Sequence, residues 1–117
     1  MIFYNNQGNP VAYCEDEERI YLFSGQIVGY FYKDAIYAYN GHQLGWFGDG
    51  WVRDLKGNCV FFTDKSHGGM ARPARSPIPA RGARSPIPPR SPIEPMRARP
   101  ALRLSWSELS NEKFFMQ

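Results

Sequence analysis

Two histidines, two cysteines, a recurring set of aspartates and a run of arginines are the residues whose types suit chemistry. His42 follows Asn40-Gly41 and His67 precedes Gly68-Gly69, and neither has a nucleophile or a metal-ligand spacing near it. Cys14 and Cys59 form no CxxC or Cys/His pattern, so both are read as reduced packing residues. Asp34, Asp49 and Asp64 could together hold a hard cation, or act as solvated turn residues. Walker A, Rossmann, HExxH and GxSxG patterns are absent. An enzyme is therefore not expected, nor is a cofactor or metal. The eight arginines from Arg72 to Arg103 suit phosphates, carboxylates or aromatic faces.

The elements that would position these groups differ sharply between the two parts of the chain. Pro10 is the only proline before His67, whereas nine follow it. The head has net charge −3 and the segment from Gly68 onward +6. Three regions are expected: a β-repeat domain over 1–66, a Pro/Arg-rich extended linker over 67–100, and an apolar C-terminal segment over 101–117. No apolar run approaches eighteen residues, and MIFYNNQGNP lacks a basic start and an apolar h-region, which predicts a cytoplasmic chain without a membrane partner. A chain of 117 residues buries little surface, so a homo-oligomer is expected.

Aligning Gly8, Gly25, Gly41 and Gly57 brings the head into register. Ile20, Ile36 and Val52 stand five residues before the last three, in the place of Phe3. Val11, Val28, Leu44 and Val60 come three residues after each glycine, and Tyr13, Tyr30, Trp46 and Phe62 two further on. Such repetition marks one supersecondary unit that cannot bury its apolar face alone. Asn40-Gly41 and its counterparts between short β-rich runs predict hairpins, and a two-residue turn would set Tyr21 opposite Val28. The fold class is all-β: four tandem hairpins, closed around a pseudo-four-fold axis because closure leaves fewer free edges. Ala12, Gly29 and Gly45 share one small-residue position, which suggests close approach of backbones or rings, and Phe61 breaks it. Polar loops at Glu15–Glu18, Lys33-Asp34, Gly48–Gly50 and Thr63-Asp64 predict an acidic rim.

The runs IYLFSGQIVGYF and IYAYNGHQLGWFGDGWVRDLKGNCVFF resemble the bacterial four-fold β-flower proteins, and the Pro-rich stretch with LSWSELSNEKFF resembles their C-terminus. The resemblance implies a pseudo-four-fold arrangement of hairpins and bacterial origin, and it carries over no catalytic residue.

Arg-Ser-Pro-Ile recurs at Arg75, Arg84 and Arg90, and the prolines favour extended polyproline II. This stretch reads as a solvated disordered linker, or as a strap whose Ile78, Ile87 and Ile93 meet aromatics while Arg75, Arg84 and Arg90 meet the acidic rim. Pro92 to Arg97 also matches a PxxPxR ligand pattern for a protein partner. Beyond it, Leu102, Leu104, Trp106, Leu109, Phe114 and Phe115 are expected to dock on a head module, with a capping box at Ser105 and Glu108 opening a short helix. The function expected is a non-catalytic protein-interaction or self-assembly module. The alternatives are nucleic-acid binding through the Arg-rich tail and small-ligand or glycan binding through the aromatic hairpins.

Overall fold

In the computed structural model, which describes all 117 residues, the head is a closed antiparallel barrel of eight strands in chain order. These are β1 (Ile2–Tyr4), β2 (Pro10–Tyr13), β3 (Arg19–Leu22), β4 (Ile27–Tyr32), β5 (Ala35–Tyr37), β6 (Gln43–Gly48), β7 (Trp51–Asp54) and β8 (Cys59–Thr63). Pairing of Phe3 with Thr63 and Tyr4 with Phe62 joins β1 to β8 and removes both sheet edges. No helix is long and apolar enough to cross a membrane.

The four loops at one end of the barrel share one construction, which differs from the two-residue turn expected. Gly25 donates its N–H to Leu22 O and Leu22 donates to Gln26 O, and the same pair of bonds recurs at Asn5/Gly8, Ala38/Gly41 and Asp54/Gly57. The loop therefore has three residues, a tight turn ending on a glycine bulge with positive φ, +98° at Gly25. In consequence Tyr21 lies opposite Ile27, not Val28, while Ile20 stays opposite Gly29. Asn-Gly satisfies both loop types, because each needs a left-handed residue at the glycine.

The interior is filled by Phe3, Ile20, Ile36, Leu44, Val52, Val60 and Phe61, all fully buried, with Val11 and Val28 at its margin. Into one end comes the C-terminus, a short 3-10 turn (Glu112–Met116) capped by Asn111 Oδ1 on Lys113 N–H. Phe115 stacks on Phe61 at 5.8 Å between ring centres, and Phe114 meets Phe61 edge-on at 5.6 Å. The small-residue positions admit both a neighbouring strand and the plug: a Cβ on Gly45 would stand 2.1 Å from Arg53 O and 3.0 Å from Phe114 Cζ, and one on Gly29 would stand 3.0 Å from Tyr37 O while only touching Phe115 Cδ1 at 3.8 Å. Burying each phenyl contributes about 1.5–3 kcal/mol, which suits a plug on so small a barrel.

Other C-terminal expectations need correction. Leu102 and Leu104 do not dock; they are 69% and 73% exposed. Trp106 and Leu109 are half-buried, Trp106 against Trp51 at 5.8 Å between ring centres. No helix starts at Ser105; the chain there extends, and its backbone bonds to both the N–H and the C=O of Cys59. Extended pairing satisfies those backbone groups of β8 directly, so a helix would leave them without partners.

Candidate interaction site

The outer face of the barrel carries cross-strand pairs of large side chains where neighbouring hairpins meet. Tyr13 lies opposite Tyr21, Tyr30 opposite Tyr37 and Phe62 opposite Tyr4, all stacked with ring centres 5.2–6.2 Å apart. The fourth pair is Trp46 opposite Arg53. Alternation along each strand sends Ile20, Ile36 and Val52 inward and these residues outward, where they are buried all the same. Their cover is the Pro/Arg-rich segment, wrapped around the barrel as a strap.

The strap has a nine-residue period. Ser76, Ser85, Glu94 and Arg103 donate their N–H groups to Gly8, Gly25, Gly41 and Gly57 O, at 2.9, 2.9, 2.9 and 3.1 Å. Two residues before each donor, a strap carbonyl lies so close to the turn that a Cβ on the glycine would meet it at 1.9–2.2 Å. Only glycine fits both the positive φ and this approach. Gly82 and Ser91 donate further bonds to Phe23 and Tyr39 O; the matching places in the first and last units hold Pro73 and Pro100, which have no N–H to give. One unit of strap thus meets one hairpin loop, four times over.

Arginines on this period face the outer pairs. Arg81, Arg90 and Arg99 lie over Tyr13, Tyr30 and Trp46, at 4.0, 3.8 and 4.7 Å from the ring centres. Their guanidinium groups pair with Glu15, Glu18 and Asp34 of the loops at the far end. Arg84 bonds Glu15 at 2.6 Å and Tyr13 Oη at 3.3 Å while lying over Tyr21; that tyrosine bond, followed by nearby charge, holds its pKa above the ordinary value. Arg75 sits over Tyr4, 5.2 Å from its centre, and has no carboxylate partner. Arg81 and Arg99 were not singled out from the sequence. The Arg-Ser-Pro-Ile alignment groups Arg90 with Arg75 and Arg84, whereas the strap places it with Arg81 and Arg99, and only the nine-residue spacing of 72, 81, 90 and 99 could have found them. Ile78 and Ile87 face solvent, 52% and 50% exposed, because arginines occupy the rings beside them, whereas Ile93, 39% exposed, holds the strap position of Arg75 and Arg84 in a unit whose Tyr37 has no arginine over it.

The remaining candidates lie apart from one another. His42 Nδ1 stands 3.4 Å from Glu94 Oε2, and His67 Nε2 stands 3.8 Å from Asp49. Asp64 accepts from Ile2 N–H, so Asp34, Asp49 and Asp64 each have a different partner and do not converge. Gln43 N–H, 2.8 Å from Glu94 Oε1, is the main influence holding that carboxyl below its ordinary value. Cys14 and Cys59 are free, and burial pushes both thiols up.

Fold and surface together define a closed β-barrel that carries its own strap and plug. The chain belongs to the four-fold beta flower family, whose model, described as "4-fold beta flower protein", matches residues 1–115. No curated protein and no solved structure matches the chain.

Proposed function

We propose that this protein is a non-catalytic interaction module, built as four equivalent hairpin units around a pseudo-four-fold axis and held by four strap units, whose perimeter docks on other copies of the chain. One observation carries the reading. The strap turns arginines inward and leaves Ile78, Ile87 and Met96, one position of three successive units, 52%, 50% and 38% exposed. Singly such side chains are ordinary surface, but their recurrence at one strap position gives successive units the same apolar contact point for a neighbouring copy. Light scattering over a concentration series tests it. Oligomers are expected for the natural chain and monomers for I78S/I87S/M96S at an unchanged melting temperature; a natural chain that stays monomeric at every concentration sinks the self-assembly reading.

Catalysis finds little support, since the two histidines stand on separate loops and burial disfavours both thiolates. A nucleic-acid role loses its main support because Arg81, Arg84, Arg90 and Arg99 already pair with carboxylates of the same chain. Retention on DNA or RNA at low salt is expected to be negligible. Two buried free thiols suit a reducing, cytoplasmic setting.

A further inference from the structure

The fourth outer pair breaks the charge pattern of the other three. There the cation belongs to the barrel: Arg53 replaces the tyrosine found at Tyr4, Tyr21 and Tyr37, and the strap answers with Leu102 where Arg75 and Arg84 stand in the first two units. Arg53 is only 7% exposed, yet no carboxylate lies within ion-pairing distance of it. Its Nη1 donates to Gly57 O and Arg103 O, both at 2.8 Å, while its Nε and Nη2 groups have no protein acceptor and keep contact with solvent. The nearby carboxylates are engaged elsewhere: Asp54 caps Lys56 and Asn58 N–H, Asp49 faces His67, and Asp34 holds Arg99. A guanidinium with no counter-ion and N–H groups to spare, held by its neighbours in a mostly dry setting, favours the approach of an anion.

Arg53 lines a cavity of about 380 Å³ with Trp46, Trp51, Arg99, Leu102 and Leu104. Trp46 Nε1 beside it is buried and has no hydrogen-bond partner, and the two leucines stand exposed at the lip. One end of the site thus offers cationic donors, and the other offers apolar and aromatic surface. We infer that this cavity binds a small amphipathic carboxylate, its anionic head on Arg53 and its hydrocarbon body against Trp46, Trp51 and the two leucines. The cavity falls within the size range of small-molecule sites.

Trp46 and Trp51 provide the readout. Octanoate, acetate and octanol are titrated into the full chain while tryptophan emission is followed, with ligand-observed NMR in parallel. Saturable binding is expected for octanoate, and at least about tenfold weaker binding for acetate and for octanol, since each lacks one half of the recognition. R53Q is expected to weaken octanoate about tenfold or more. Because Arg53 also bonds two carbonyls, L102S/L104S serves as the second variant: exposed in the fold, it should weaken octanoate several-fold and leave the melting temperature unchanged. Absence of saturable binding by both methods, or equal responses to the three compounds, overturns the inference. So does octanoate binding that neither variant alters.

Discussion

Guanidinium groups join strap to barrel, and each arginine has a partner set that decides its worth. Arg90 combines a ring face with an exposed carboxylate, so R90A should lower the unfolding free energy by about 1 kcal/mol in urea titrations. Glu94 takes the place of Ser85 in its unit, accepting Gln43 N–H as Ser85 Oγ accepts Ile27 N–H. Its folded pKa is depressed, so its contribution to stability is fully present above the ordinary value of 4.5 and is lost as pH falls through the lower folded value. The stability difference between the natural chain and E94Q should therefore be constant near neutral pH and vanish in acid, which melting curves from pH 7 down to pH 2 would check. Arg84 and Arg90 were legible in the sequence as arginines bound for the acidic rim, which they reach, and Arg81 and Arg99 only as part of a basic run. Their partners were not, because a contact between Arg81 and Glu15 depends on how the strap travels around a barrel that sequence spacing alone does not trace.

At the scale of elements, each loop glycine serves the hairpin and the strap together. G25A would strain a backbone at φ +98° and drive a methyl group into Ala83 O at 1.9 Å. A loss of at least about 2 kcal/mol is expected, with faster amide exchange at Ser85 than at Glu94 as the sign that one strap unit has lifted. F114A removes a fully buried ring from the plug and should destabilise by about 3–5 kcal/mol, read from denaturant midpoints. The sixteen-residue repeat was visible because its glycines and β-branched residues are regular, and the vacancy at Gly29 and Gly45 pointed to close approach of a backbone or a ring, of which Gly45 has both. Loop length was misread by one residue because Asn40-Gly41 suits two kinds of turn. The nine-residue strap period was hidden by the third unit, where Ile93 and Glu94 stand in place of arginine and serine.

For the molecule as a whole, barrel and strap are mutually dependent: outer rings need the arginines as cover, and the interior needs Phe114 and Phe115 to fill it. A chain ending at residue 66 should therefore lose hairpin protection in hydrogen exchange; protected hairpins in such a truncated chain would show that the barrel folds without its cover. Head and tail charges were legible as opposite, and so was the apolar end, but not that Leu102 and Leu104 would be left outside while Phe114 went in. The one-unit-per-loop arrangement also has a mechanical meaning. A pull on the C-terminus first extracts the plug and then loads one loop bond at a time, as a zipper does. Each release frees nine residues, about 28 Å of extended chain at ~3.1 Å per residue. Force should then rise and fall in four steps before the barrel itself tears, the middle two the higher because those units hold a second bond, giving a small protein a graded elastic response.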